Sequence, residues 1–441
     1  MMFFRLAKSI FFTVCISNLI FFSALSPSLS YATTAEMDAD EFARAAVRKM
    51  RVVVLKGSQV KFLVGKEFKN YSLMKFIDER LEAIPFQFDD MSELGQPYTG
   101  SKGAAVKGSI GIFDQNDELL FMFKDGRDKA SQLALDNVEG RVAAELAVSD
   151  NGRTHYFYLV EGNAQRSDVD YIEYDPESYL IKSDRWSMQT DPENPIVWGD
   201  FFYHSFQEKH SLLDTMKMRI GGKVGFVSLV LNNNNVIGNT LGFKDGPIRD
   251  FLEMNASVVL LGVPFMSIKM GFSVTQHNLG APAYVDMPLV ARAIKNPLIQ
   301  ISLDAHQLQG ALSRTALGPV EPAIADGEVS KQEKTMAVDA DNTWLALSSQ
   351  KGFDIMATFE RSENFDVDLG VLYKEGEEDK PERYKGSDPQ LGYYISNLPL
   401  GDPFFFQISL FFLDNLWGDN HPELVAKYLT KEPVVTVSQL R

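Results

Sequence analysis

The stretch that decides the fold is residues 142–160, VAAELAVSDNGRTHYFYLV. Two runs rich in apolar and β-branched residues, 142–148 and 155–160, flank Asp150-Asn151-Gly152. Asn-Gly between such runs is a strong hairpin signal, because both residues tolerate the positive φ angles of a tight turn. The stretch therefore predicts two antiparallel strands joined directly to each other.

The same pattern of short strands and turns recurs along most of the chain, which predicts an all-β fold. Residues 114–117 and 175–177 provide the turns of two further hairpins. We expect a large antiparallel β-sandwich or supersandwich, a smaller N-terminal β unit and few short helices. The main predicted strands lie at 51–55, 108–113, 119–123, 171–174, 179–182, 224–231, 240–243, 248–254, 257–263, 265–274, 299–303, 344–347, 353–359, 367–373, 392–395 and 403–412.

Composition shifts divide the chain into five predicted segments. Residues 1–32 form a signal peptide, 33–165 an N-terminal β-rich unit, and 166–314 the central part of the sandwich. Residues 315–342 are rich in Gly, Pro and charge and are expected to be a loop or boundary. Residues 343–441 complete the sandwich with further strands and a short helix, and a first helix is expected at 38–50.

The first 32 residues have the pattern of a cleavable export signal. Arg5 and Lys8 precede an apolar run from 10 to 25, and Ser30-Tyr31-Ala32 offers small residues for cleavage. We therefore expect a periplasmic or secreted protein. The one cysteine, Cys15, lies in this segment, so the processed chain has no cysteine for disulfides, metal thiolates or nucleophilic attack. Beyond the signal, no apolar stretch reaches the length of an integral membrane segment.

The formal charge of the chain is −16. An acidic surface repels phosphate backbones and anionic headgroups. Nucleic acid is therefore not expected as a partner, and charge alone does not favour the membrane surface. The sequence indicates no oligomeric state.

Several short motifs resemble those of known proteins. AIPFQFDD at 83–90, FDQNDEL at 113–119 and KDG at 124–126 resemble an uncharacterised group of exported bacterial β-rich proteins, as do VDY at 169–171 and KDGPIR at 244–249. The Gly-Pro-x-Arg step at 246–249 is also similar to mutarotase-like supersandwich domains. That resemblance implies catalysis by a His and a carboxylate in the sandwich groove. Neither of these two residues can be matched to a position in this sequence.

The aromatic stretch WGDFFYH at 198–204 contains the main candidate site. Trp198 and Tyr203 could stack on a ligand, while Asp200 and His204 could act as acid and base in a sugar groove. The alternative is a buried aromatic cluster. His277 is a further catalytic candidate.

Arg249 and a group of Asp and Asn side chains are the other candidates. Arg249 could bind a carboxylate of a ligand or pair with an Asp across the sheet. Calcium could bind the oxygen-rich set Asp114, Asn116, Asp125 and Asp128. Asp and Asn also occupy hairpin turns without any metal, because they bond the local backbone. No other cofactor is expected.

These observations predict an exported β-sandwich protein that binds a carbohydrate or another envelope component. The sequence contains no HExxH and no GxSxG motif, so a non-catalytic role is favoured. One alternative is a carbohydrate-active enzyme of the lyase or epimerase type, working through His204 or His277. The other is a non-catalytic scaffold of an envelope complex.

Overall fold

A computed structural model describes residues 38–206, 210–260, 262–286, 288, 292–376, 382–386, 388–399, 402–414 and 421–440. The predicted signal peptide, 1–32, lies outside the described residues. The helices are α1 (Ala39–Met50), α2 (Gln132–Asp136) and α3 (Pro422–Leu429). The first was predicted, and the Asp38 side chain caps it by accepting from the Asp40 backbone N–H. In the part of the chain that is described, no helix has the length and apolar character needed to cross a bilayer.

Strands make up most of the described chain. The first half contains β1 (Val52–Lys56), β2 (Tyr71–Ile77), β3 (Arg80–Ala83), β4 (Phe86–Asp89), β5 (Glu118–Met122), β6 (Arg141–Asp150), β7 (Arg153–Glu161), β8 (Ile172–Asp175), β9 (Leu180–Ser183), β10 (Trp186–Asp191), β11 (Asn194–Tyr203), β12 (Leu213–Val224) and β13 (Val227–Leu231). The second half contains β14 (Val236–Lys244), β15 (Arg249–Leu260), β16 (Val263–Thr275), β17 (Asn278–Asp286), β18 (Ile294–Ala305), β19 (Leu312–Thr315), β20 (Ala323–Ile324), β21 (Leu345–Ser348), β22 (Asp354–Arg361), β23 (Asp368–Lys374), β24 (Gln390–Ser396), β25 (Phe404–Leu413) and β26 (Val434–Gln439).

The predicted fold class is confirmed, because the described strands pair antiparallel and form sandwich-like sheets. In the hairpin of β6 and β7, Asn151 and Gly152 have φ angles of 43° and 86°. These are the left-handed values that the Asn-Gly sequence predicts. The strand predicted at 224–231 is wrong in its bounds, because a turn at Gly225 (φ 61°) separates β12 from β13.

Two sheets form the central sandwich. We call β13-β12-β18-β24-β23 the five-stranded wall and β14-β15-β16-β17-β25-β22-β21-β19-β20 the nine-stranded wall. Apolar side chains of both walls share the same two clusters, so the walls pack face to face. The four-stranded sheet β11-β10-β9-β8 adds Trp186, Trp198 and Phe201 to one of these clusters.

The N-terminal unit contains two further sheets, β1-β5-β4 and β26-β6-β7-β2-β3. They enclose an aromatic-rich core that includes Phe113, Phe121 and Phe157. Strand β26 comes from the end of the chain and pairs with β6. Segment 343–441 therefore contributes strands to the central sandwich and also to the N-terminal unit.

A buried arginine joins the N-terminal unit to the nine-stranded wall. Arg249, the first residue of β15, donates through Nη2 to Asp89 at 2.5 Å and to Glu118 at 2.8 Å. Asp89 and Glu118 belong to paired strands of the N-terminal unit. The side chain of Gln87 completes the junction, because its Oε1 accepts from the backbone N–H groups of Ile248 and Arg249. The positive charge of one guanidinium thus compensates the negative charges of two carboxylates from another sheet.

Replacing Arg249 by Ala is expected to destabilise the fold by about 3–5 kcal/mol, because it leaves buried carboxylates without a counter-charge. The free energy of unfolding in urea measures the loss. Arg80→Ala is the matched control, since this 72% exposed side chain pairs with Glu82 at the surface. That change should cost less than about 1 kcal/mol. Equal losses for the two variants would contradict the role of the junction.

Candidate functional site

The inner face of the five-stranded wall is lined by large aliphatic and thioether side chains. In the register of β12 and β18, Met216 lies opposite Leu303, and Met218 lies opposite Ile301. All four line the space between the walls. Lys217, between the two methionines, carries its side chain on the other face, as strand alternation requires. Alternation thus gives this wall an apolar inner face and a charged outer face.

An apolar cavity of about 220 Å³ lies between the two walls. From the nine-stranded wall its lining includes Ile268, Met270, Ala281, Ala357 and Ile408. These side chains are half-buried although they lie within the sandwich. Facing sheets normally interdigitate and leave few voids larger than a water molecule. The partial exposure therefore reflects the cavity, towards which these side chains point.

Aromatic clusters pack at both ends of β25, a strand of the nine-stranded wall. At one end Trp186 and Phe201 pack on Phe412, with ring centroids 4.7 and 5.1 Å away. At the other end the rings of Phe365 and Phe404 stack at 4.1 Å. The cavity between them is lined by several small residues: Ala256, Ala281, Ala283, Ala357 and Gly392. Large rings lie at the ends of β25, whereas the small side chains that line the cavity leave the space between the walls unfilled.

The cavity is long in comparison with its volume. Its lining includes Leu213 and Ala305, which are paired at one end of the five-stranded wall, and Ile294, which is paired with Val224 at the other end. At about 3.3 Å per residue this part of β12 spans about 35 Å. Left empty, a void of 220 Å³ would cost about 5 kcal/mol. An elongated apolar occupant would recover much of that free energy.

Polar groups are scarce in the lining. The Tyr393 hydroxyl donates to the Thr343 carbonyl at 2.7 Å, and Ser302 accepts from Gln390 at 2.7 Å. The indole nitrogen of Trp198 is buried and is the one side-chain N or O atom of the described lining without a hydrogen-bond partner. A cavity of this kind stays dry and takes apolar molecules. Trp198 offers one donor for an oxygen of the occupant.

The predicted groove at 198–204 does not assemble, although Trp198 lines the cavity. A bulge at Gly199, where Thr190 pairs with Trp198 and Gln189 with Asp200, reverses the alternation of β11. Trp198 and Tyr203 are consequently buried, whereas Asp200 points outward and binds Arg383 at 3.0 Å. The exposed His204 bonds the Asp184 carbonyl through Nδ1 at 3.0 Å. Within this stretch, the described structure brings no acid and base together around a ligand space.

His277 is buried in the turn between β16 and β17. Its Nδ1 lies 3.2 Å from the carbonyl oxygen of Phe412, and its Nε2 has no hydrogen-bond partner. Burial lowers the pKa of His277 to about 4. The ring is therefore neutral near pH 7, and its catalytic role remains a prediction of the sequence. Arg249 forms the junction described above, which is the cross-sheet alternative for this residue.

The calcium candidates have separate local partners. Asp114 accepts from the Asn116 backbone at 2.7 Å, as in an Asx turn, and Asp125 accepts from the Tyr171 hydroxyl at 2.7 Å. Asp128 is exposed. The structure gathers a different set of carboxylates, and calcium binding at the four predicted residues remains a prediction.

That set is Asp214, Asp304 and Glu382, whose oxygens lie close enough together for a shared cation. The ammonium group of Lys217, 1% exposed, lies 2.5 Å from Asp304 and also contacts Glu382. Burial raises the pKa of Asp304 to about 7 and that of Asp214 to about 6. The lysine thus supplies the positive charge that a metal would supply. Sequence reasoning missed this cluster because its members are far apart in the chain.

Comparisons with known proteins show no established relative. No family model and no curated protein matches the chain. An α-N-acetylgalactosaminidase of Bifidobacterium bifidum is 9% identical over 56% of this chain and 37% of its own, with a TM-score of 0.35. Heparan sulfate lyase HepC of Pedobacter heparinus is 7% identical over 58% and 38%, with a TM-score of 0.32. The protein Slr1438 of Synechocystis sp. PCC 6803 is 10% identical over 56% and 96%, with a TM-score of 0.33.

This chain thus spans little more than a third of the length of the two enzymes. At this level of likeness, no activity, substrate or ligand is carried over from them.

Filling the cavity is expected to stabilise the protein. Ala357→Leu adds apolar volume to the gap and should raise the free energy of unfolding by about 1–2 kcal/mol. Ala346→Leu is the matched control, because Ala346 lies on the neighbouring strand in the packed cluster under α1 and α3. Overpacking there should cost about 1–3 kcal/mol. Urea unfolding of both variants measures the difference, and a loss in Ala357→Leu equal to the control would contradict an open cavity.

Proposed function

We propose that this protein binds an elongated apolar molecule, such as the acyl chain of a lipid, between the walls of its central sandwich. The observation that carries the proposal is the apolar cavity itself. We further propose that it does so outside the cytoplasm, as the predicted signal at 1–32 implies. A lipid is a component of the cell envelope, and the sequence predicts a carbohydrate or another envelope component as the ligand.

The chemistry of the lining favours a lipid over a sugar in this cavity. A sugar carries a hydroxyl on most carbons, and each one costs free energy when it is buried without a hydrogen bond. The Trp198 indole offers one donor to an occupant, whereas the remaining lining supplies aliphatic, aromatic and thioether surface. Four methionines, Met216, Met218, Met266 and Met270, add adaptable contacts. Such side chains accommodate apolar ligands of varied shape.

Binding of a fatty-acid probe tests this proposal. A fluorescent fatty acid should bind the purified protein and be displaced by unlabelled long-chain fatty acid. The double variant Ala281→Leu/Ala357→Leu should bind it at least about tenfold more weakly, because the added methyl groups occupy the cavity. Ala346→Leu should bind as the natural chain does. If the folded, delipidated protein binds no probe, or if both variants lose binding equally, the proposal fails.

A second candidate function, carbohydrate binding, is favoured by a second pocket that carries several polar side chains. This pocket, of about 210 Å³, lies on the nine-stranded wall beside the loop of residues 90–107, and Gln96, Glu253, Asn255 and Lys269 line it. Glu253 accepts from Ser101 Oγ at 2.7 Å and also from Thr99, whereas the buried amide nitrogen of Gln96 has no partner. Amides and carboxylates are suitable partners for sugar hydroxyls.

A glycan panel tests the second candidate. Gln96→Met keeps the shape of the side chain but removes its amide, so it should weaken any retained glycan by about tenfold. Gln189→Met changes an exposed glutamine on β10 in the same way and should leave binding unchanged. Absence of binding to every glycan, or equal binding by both variants, would contradict a carbohydrate site here.

A further inference from the structure

Two hairpin tips at one end of the central sandwich expose apolar side chains. The tip between β12 and β13 turns at Gly225 (φ 61°), and Phe226 at its apex is fully exposed. Val224, Val227 and Val230 are exposed beside it. We call these four residues, together with Val263 of the second tip, the tip surface. Clustered apolar exposure on a protein surface marks an interaction site.

The second tip, between β15 and β16, lies at the same end. It turns at Gly262 (φ 80°), and Val263 is exposed. Leu229, near the first tip, and Leu260, beside the second, pack on the same apolar cluster. Arg249, at the opposite end of β15, forms the junction with the N-terminal unit. The tips therefore point away from that unit.

The tip surface is continuous with the cavity. Ile294 lines the cavity and is paired with Val224 at the base of the first tip. Pro297 and Leu298, a few residues further along β18, also line the cavity and are half-buried. An apolar molecule could thus pass from the tips into the cavity along side chains of the same character.

Positive charge lies beside the first tip in an otherwise acidic chain. Lys223, Arg292 and Lys295 are exposed, and Lys223 is paired with Lys295. Segments 218–235, 254–270 and 292–300 contain no Asp or Glu, although the net charge of the chain is −16. Exposed acidic side chains at this end lie further from the first tip: Asp286 ends β17 of the nine-stranded wall, and Asp368 begins β23, the opposite edge strand of the five-stranded wall. The charge distribution therefore favours contact with anionic headgroups at the β12–β13 edge.

We propose that the tip surface inserts into a lipid bilayer that contains anionic lipids, and that the cavity exchanges its apolar ligand with the bilayer there. This inference deepens the proposed function and partly rests on it. It also refines the expectation drawn from the net charge, because exposed cations lie beside the first tip although the whole chain is acidic. Exposed lysines can reach the headgroups while the apolar tips enter the acyl region.

The shape of the tip surface favours a bilayer over a second copy of the chain. A stable protein interface buries roughly 800 Å² on each partner across a complementary face. Two narrow hairpin tips with Phe226 at an apex offer no such face, whereas they need no complementary partner in a fluid bilayer.

Vesicle sedimentation with the purified protein tests the inference. Phosphatidylcholine vesicles containing phosphatidylglycerol should retain the protein more strongly than phosphatidylcholine alone, and added salt should reduce the difference. Phe226→Ser/Val227→Ser should lower the partition coefficient at least about tenfold. Leu133→Ser, a change at a 66% exposed residue of α2, should leave it unchanged.

Three outcomes would overturn the inference. The first is no binding of the protein to either vesicle, and the second is unchanged vesicle binding by the double variant. The third is that the double variant loses self-association, measured by light scattering, instead of losing vesicle binding. The fatty-acid probe, assayed without vesicles, separates this failure from that of the proposed function. Probe binding without vesicle binding overturns docking alone. Vesicle binding without probe binding overturns the cavity ligand alone.

Discussion

The central constraint on this structure is that two apolar walls face each other without closing. Aromatic rings pack at both ends of β25: Phe412 contacts Trp186 and Phe201 at one end, and Phe404 stacks on Phe365 at the other. Alanines and a glycine lie between them, so the middle of the sandwich lacks the volume to fill its own core. The free energy lost in this void is the physical reason to infer an apolar occupant. The role that we propose for the tip surface is the entry to the same space.

Alternation in the sequence predicts much of the architecture. The Asn151-Gly152 hairpin, helix α1 and the antiparallel, strand-dominated class are all confirmed, because each depends on local patterns. The predicted strand bounds near residue 224 were wrong because two features of β12 hide its strand character. The strand alternates charged and thioether residues, and it contains Gly221-Gly222. Its alternation is nevertheless present in Met216, Met218 and Ile220 and could have indicated an apolar inner face.

The candidate site was less predictable, since it depends on contacts between distant residues. The bulge at Gly199 places Trp198 and Asp200 on opposite faces, and no local sequence pattern predicts it. Arg249 meets Asp89 and Glu118 across more than a hundred residues of sequence. A cavity likewise depends on how two sheets pack together, and it cannot be predicted from the sequence of either sheet alone. Burial and pairing of single residues could be suggested from the sequence, whereas the space between the walls could not.

Xenon binding offers the most direct test of an open apolar cavity, because xenon enters dry cavities without needing polar partners. Crystals of the delipidated protein under xenon pressure should show xenon between β16 and β17 of the nine-stranded wall and β12 and β18 of the five-stranded wall, near Met218 and Ile268. Walls in direct contact, with side chains filling this space and no xenon between them, would contradict the account.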